Sequence, residues 1–239
     1  MSSRERFNGR TGAVSLTFDD GTLSQLEHAV PILNQAGIKG TFYLHARDSL
    51  LENHSDDWRT VAQQGHEIGN HTRSHRCPKS VADRHGLEDM TLDEIERDIL
   101  DAQVLLRDLA PHQESWTFAY PCYSTFIGRG AHRKSYVPIV DRHFVAGRAG
   151  GEIGYANDPA IMDQACLWGT PVHDMSAGAT IALVDDLTRR GLWVVLVYHD
   201  IEGDVLSVPN DSLKAVADYL AREQARLLIA PVRDVIGWL

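Results

Sequence analysis

Short apolar runs alternate with longer periodic segments along the 239-residue chain. AVSLTF (13–18), GTFYLH (40–45), EIGNH (67–71) and TFAYP (117–121) are short runs set between helical patterns. The pattern predicts strands there. RHFVAG (142–147) and ACLWG (165–169) predict a fifth and a sixth strand. GLWVVLVYH (191–199) predicts the most apolar strand, and LLIA (227–230) follows near the end. Between these runs the periodicity predicts helices over 22–36, 56–64, 91–110, 176–190 and 211–226. Within 91–110, Leu92, Ile95, Ile99, Ala102, Leu106 and Leu109 recur at steps of three and four, which places them on one face. Thr91 and Glu94 have the spacing of a capping box. Gly37 is placed to end the first helix, and Pro31 inside it predicts a kink.

Alternating strands and helices imply a parallel sheet with helix-covered faces. A near-continuous apolar strand such as LWVVLV fits a sheet buried on both sides. An open doubly wound sheet and a barrel both satisfy this order. No GxGxxG follows the first strand, so a dinucleotide fold has no support. TFDD, GNHTRSH, FAYP and VYHD each fall at the C-terminal end of a predicted strand. That edge carries the active site in parallel α/β folds. Four polar clusters at one edge therefore predict one shared site.

The residue types in these clusters suggest metal chemistry. His71 and His75 are four apart, and on a helical turn both imidazoles would reach one ion. Twelve histidines make a chance pair at this spacing common. Asp19 and Asp20 precede Gly21, and alone such a pair reads as a solvated turn. A carboxylate with two histidines is also a three-ligand catalytic zinc set that leaves a position open for water. Because the chain leaves the strand at this point, two adjacent carboxylates can take different jobs. His199 ends the apolar strand and suits a general acid.

Composition narrows the class further. Apolar content is 43% and charged content 23%, ordinary for a globular chain. The length suits a single domain over 1–239 with a short polar lead over 1–12. A net charge of −10 argues against nucleic acid as a partner. No apolar run is long enough to span a membrane. The polar start lacks an apolar leader, so the expectation is a cytoplasmic protein. A secreted enzyme with its leader removed would read the same. Cys77, Cys122 and Cys166 are odd in number, widely spaced and free of any CxxC pair. They predict neither a disulfide framework nor a thiolate zinc site.

TFDDG, HTRSH, FAYP and VYHDI in this order resemble the NodB-homology polysaccharide deacetylases, carbohydrate esterase family four. The likeness runs from about residue 13 to 239. It implies a distorted (β/α)7 barrel, in keeping with the alternation above. It implies a metal-dependent deacetylase in which Asp19 is the catalytic base and Asp20, His71 and His75 hold the metal. His199 is then the general acid. The metal implied is Zn2+, with Co2+ or another divalent ion as a substitute. Tyr120, Pro121 and Cys122 fall in the family's third motif, where a main-chain N–H around Cys122 would face the oxyanion.

Two positions of the third motif depart from the family's pattern. Ala119 stands where the third motif commonly has an arginine that supports the base, and Cys122 replaces a tyrosine. Arg148, in VAGRAGG, is the candidate replacement for that charge, the alternative being a surface residue in a Gly-rich loop. Trp168 is either the fourth motif's aromatic wall beside the acetyl group or plain core filling. His173 and Tyr120 are further candidates for lining the cleft. Cys122 as a nucleophile is the weaker reading, because the metal set explains the edge without it. The implied substrate is an acetylated carbohydrate. A small non-sugar amide or cyclic imide, as in allantoinase-like relatives, is the alternative. A non-catalytic carbohydrate-binding relative is the third, and the presence of Asp19, Asp20, His71, His75 and His199 together weighs against it.

Overall fold

Eight short strands form one all-parallel sheet in the computed structural model, which describes residues 7–46, 48–82, 85–151 and 153–239. The first half of the polar lead lies outside these described residues. The strands are β1 (Gly12–Asp19), β2 (Thr41–Leu44), β3 (Glu67–Asn70), β4 (Thr117–Ala119), β5 (Ala146–Arg148), β6 (Gly169–Pro171), β7 (Trp193–Tyr198) and β8 (Leu227–Ile229). Their order is β5-β4-β3-β2-β1-β7-β6, and β8 pairs with the start of β1. A parallel bridge between Arg148 and Leu167 joins the two outer ends. There Leu167 N–H donates to Gly147 O at 2.6 Å, and Ala149 N–H donates to Leu167 O at 2.9 Å. The result is a nearly closed seven-stranded barrel, as the sequence predicts.

Strand alternation decides what faces the barrel interior. Along β1, Val14, Leu16 and Phe18 join the large core between strands and helices. Ala13, Ser15, Thr17 and Asp19 take the opposite face. Trp193 and Val195 of β7 and Ala146 of β5 meet Ala13 in a second core within the barrel base. By the same parity Tyr43, Glu67, Thr117 and Arg148 point inward, and all are fully buried. The interior is thus apolar at its base and polar towards the C-terminal end of the strands.

The helices are α1 (Val30–Ala36), α2 (Asp48–Gln63), α3 (Leu92–Leu109), α4 (Val137–His143), α5 (Ala177–Arg189), α6 (Asn210–Arg222) and α7 (Val232–Gly237). In α3 the capping box forms as predicted, with Thr91 and Glu94 each bonding the other's backbone. Its buried face includes Ile95, Ile99, Leu106 and Leu109, each contributing about 1.5–3 kcal/mol through burial. No helix among the described residues is long and apolar enough to cross a membrane.

Several expectations need correction. Pro31 stands inside a helical stretch that runs unbroken over 23–36, and the irregularity there is a change of helix type directly before it rather than a break. The segment before it, Gln25–Ala29, is a π-helical turn. RHFVAG is only partly a strand, because Arg142 and His143 end α4 and β5 begins at Ala146. Ala165 and Cys166 of ACLWG belong to a 3-10 turn that begins at Gln164, with β6 starting at Gly169. Both runs are too short for periodicity to separate strand from helix. The cysteine expectation also fails. Cys77 and Cys122 form a disulfide with a Cα–Cα distance of 5.5 Å, and Cys166 is free. Cysteine parity cannot reveal such a pair, because two loops 45 residues apart must first meet.

Candidate active site

Asp19 is the last residue of β1 and still follows the strand's parity, so its carboxylate enters the barrel. Asp20 then turns left-handed (φ 77°), and Gly21 follows (φ 66°). That turn sends the second carboxylate away from the first. The pair is therefore both a turn and a cluster of chemical groups.

His71 follows β3 and faces inward by the same alternation. Its N–H donates to Leu44 O, and its ring Nδ1 lies 2.8 Å from Ala119 O. That geometry assigns the proton to Nδ1 and leaves the Nε2 lone pair towards the carboxylates. HTRSH is not the helical turn that the spacing predicts. Thr72 (φ 63°) and His75 (φ 48°) are left-handed, and the loop is held by side chains. Asn70 Oδ1 accepts from Thr72 N–H, and Thr72 Oγ1 accepts from His75 N–H. Asp98 of α3 accepts from the Ser74 hydroxyl. The two histidines do converge, with Nε2 atoms 3.2 Å apart.

The donor set is compact. Asp20 Oδ1 lies 3.2 Å from His75 Nε2 and 3.6 Å from His71 Nε2. The three ligand atoms all fall within 4.8 Å of one another. Asp20 Oδ1 is buried and makes no hydrogen bond of acceptable geometry. An orphaned carboxylate oxygen facing two imidazole nitrogens is the arrangement that a divalent cation completes. Burial works to raise the Asp20 carboxyl, but His75, His71 and His199 outweigh it and hold it well below the usual range. Burial pushes the His71 imidazole down to about 3, against the pull of Asp19 and Asp20. It is therefore neutral at physiological pH, the form that binds metal.

Asp19 has a different neighbourhood. Arg148 Nη2 donates to its Oδ1 and Oδ2 at 2.5 and 2.6 Å. Arg148 is not a surface residue: it is fully buried, and its guanidinium lies 5.3 Å from the Tyr43 ring and 5.5 Å from that of Tyr123. Burial disfavours the charged guanidinium, yet the Asp19 carboxylate beside it keeps it charged. His199, the first residue after β7, reaches Asp19 Oδ2 with Nε2 at 3.7 Å. Its ring meets that of Tyr123 edge-on, with centroids 6.4 Å apart.

Pro121 and Cys122 lie in the loop after β4. Cys122 (φ 49°) and Tyr123 (φ 57°) are both left-handed. The disulfide ties this loop to the segment after His75, whose Nδ1 is 3.8 Å from Cys77 Sγ. The described residues include eight non-glycine positions with positive φ. Five of them, Asp20, Thr72, His75, Cys122 and Tyr123, surround this cluster, which marks a site where surrounding contacts hold strain in place.

Two expected members stand apart. Tyr120 and Trp168 fall on the outward parity of their strands. Tyr120 is fully buried, packs against Phe118 and Tyr136, and donates its hydroxyl to Ala165 O. Trp168 is exposed and packs against Tyr155. It also lies so close to Gly151 that a Cβ there would fall 1.8 Å from its ring nitrogen. His173 sits 3.4 Å from Asp174. Tyr123, Tyr43 and Gln25, which sequence reasoning does not single out, belong to the cluster or its support. Inward parity on β2 could have pointed to Tyr43. Nothing local points to Gln25. A cavity of about 1070 Å³ is lined by Arg59, His112, Arg233 and Trp238 among others, and contains none of the cluster. It lies at the other end of the barrel, so volume alone would misplace the site.

Comparison with known proteins bears on the family and the fold. The family model for polysaccharide deacetylases matches residues 8–126. A chitin deacetylase of Arthroderma benhamiae is 29% identical over 202 residues, covering 78% of this chain and 51% of the fungal protein. The chain thus spans about half the length of that curated relative. A family 4 acetyl xylan esterase from Clostridium thermocellum, solved with a cobalt ion, superposes with a TM-score of 0.60 at 21% identity, covering 94% of this chain and 90% of that one. The peptidoglycan deacetylase PdaC of Bacillus subtilis gives a TM-score of 0.57 at 15% identity, with 95% and 91% coverage. At these identities the structural likeness carries the fold alone. Motif order, barrel and family match together place the chain in the polysaccharide deacetylase family.

Proposed function

We propose that the protein is a metal-dependent hydrolase that removes acetyl groups from a carbohydrate, at an N-acetyl amide or an O-acetyl ester. One observation carries the reading. Two adjacent carboxylates have different partners: Asp19 is bound by Arg148 and lies 3.7 Å from His199, while Asp20 lies 3.2 Å from His75, with His71 between them at 3.6 Å from Asp20 and 4.0 Å from Asp19. Pairs of titratable groups in contrasting environments are the signature of divided catalytic roles.

Asp20, His71 and His75 would hold the cation. The His₂–carboxylate set suits Zn2+, with Co2+ as a substitute. When bound, the ion would act as a Lewis acid and bring the pKa of its water towards about 7. The remaining work falls to the chain. Asp19, held in place by Arg148, accepts the proton of the attacking water. The Cys122 N–H, presented by its left-handed loop, meets the developing oxyanion. His199 donates a proton to the departing nitrogen or oxygen. The name of the fungal relative and the cobalt ion in the bacterial esterase support an acetylated glycan and a divalent metal respectively.

The test is acetate release from metal-loaded protein over a panel of acetylated sugars, small amides and cyclic imides. Turnover on acetylated sugars, abolished by chelation and restored by Zn2+ or Co2+, is expected. Full turnover in excess chelator, with no metal by elemental analysis, overturns the reading. Turnover confined to small amides moves the substrate class to the allantoinase-like alternative.

A further inference from the structure

Gln25 is fully buried beside the cluster without touching the metal-ligand set. Its side-chain Nε2 donates to the main-chain carbonyl of Asp19 at 2.5 Å and to that of His199 at 2.7 Å. A primary amide nitrogen carries two hydrogens, so one group makes both bonds at once. Methionine matches its length without a donor, and glutamate matches its shape but presents two acceptors.

The register explains why such a clamp is needed. The parallel ladder between β1 and β7 ends at Phe18 and Tyr198. Asp19 and His199 are the next residues on each chain, where ladder bonds no longer hold the two exits together. Buried carbonyls must find donors, and here one side chain serves both. Gln25 reaches the position because it opens the π-helical turn Gln25–Ala29, with its own N–H bonded to Thr22 O at 3.1 Å. Such turns recur at functional sites. The preceding residue strengthens the seam, since the Ser24 hydroxyl bonds the Asp200 carboxylate and accepts from Ile201 N–H at 3.1 Å.

We propose that Gln25 is a positioning residue that fixes the distance between the catalytic base and the general acid by clamping the main chains of Asp19 and His199. The inference rests on the roles proposed above for those two residues. Their side chains, now 3.7 Å apart at Asp19 Oδ2 and His199 Nε2, would drift without it. Gln25 Nε2 bonds the Asp19 and His199 carbonyls and not the ligand side chains, so metal stoichiometry is expected to survive its loss.

The test uses full-length Gln25→Met and Gln25→Glu proteins. Steady-state kinetics are expected to show kcat reduced roughly 10–100-fold, the scale of a small misplacement of reacting groups. KM should stay within about twofold, because ground-state binding is untouched. Metal titration should still give one ion per chain, and the crystal structure of Gln25→Met should show Asp19 and His199 further apart than in the wild type. Should Gln25→Met not fold, Gln25→Asn keeps the amide, shortens its reach by one methylene and is expected to show the same loss. An unchanged kcat with only a lower melting temperature overturns the inference. So does a kcat that falls together with metal stoichiometry, or an unchanged Asp19–His199 spacing. A wild-type protein with no turnover on the whole panel counts against the proposed function, and the crystallographic spacing then decides the role of Gln25 by itself.

Discussion

At Asp19 the strand parity still holds and the carboxylate meets Arg148, whereas at Asp20 the left-handed backbone turns the next carboxylate towards His75. This separation predicts two distinct failures. Asp20→Asn should abolish metal binding by titration. Asp19→Asn should retain the metal but lose roughly 10²–10⁴-fold in kcat, the usual scale of a general base. Arg148→Met leaves a buried carboxylate without its partner. Breaking a buried pair in this way costs about 3–5 kcal/mol. Chemical denaturation should show that loss, and turnover should fall with it. Full turnover in a folded Arg148→Met protein would show that Asp19 does not need this charge.

Among the elements, loops rather than strands supply the strain and the links. The disulfide closes a segment of 45 residues and joins the loop of a candidate ligand to the loop of the candidate oxyanion donor. In the chain-entropy picture, opening a loop of that length costs about 4 kcal/mol. The Cys77→Ala/Cys122→Ala protein should lose stability on that scale in urea. It should also bind metal roughly 10–100-fold more weakly, because His75 loses the support behind its ring. Metal affinity equal to wild type would separate the disulfide from the site. Helix α3 acts in the same way at a distance. Its Asp98 anchors Ser74, and its capping box starts the helix in register. Thr91→Ala should therefore cost about 1 kcal/mol, read as a shift in the urea midpoint without loss of metal.

For the whole molecule, the burial that builds the site also sets its acid sensitivity. Burial pushes His66 and His71 down to about 3 from an ordinary 6.5. Between those values the unfolded chain binds protons that the folded chain refuses, so the folded state loses stability as pH falls. That stability is fully present above 6.5 and is spent by about 3. Glu67 opposes the trend, because burial raises its carboxyl and the fold favours its protonated form. The informative readout is therefore a slope. Metal-free protein should weaken in urea between pH 7 and pH 4.5, and His66→Gln should weaken less steeply. Equal slopes in the two proteins would remove His66 as a cause.

The alternation of apolar runs and helical segments was legible because a parallel sheet buried on both faces demands it. The same pattern located four polar clusters at one strand edge, but it left Arg148 open between a partner for Asp19 and a surface loop residue. The i,i+4 spacing of His71 and His75 found the right pair through a helical turn that does not exist. Left-handed Thr72 and His75 bring them together instead. What tertiary structure alone decided are contacts between distant positions. The Arg148–Asp19 pair, the Cys77–Cys122 bond and the Gln25 clamp join residues 129, 45 and, for Gln25 with His199, 174 positions apart. Local propensity reads only a few neighbours along the chain. Barrel closure sets which distant side chains share the interior, and there a buried charge or carbonyl must find its partner or the fold is lost.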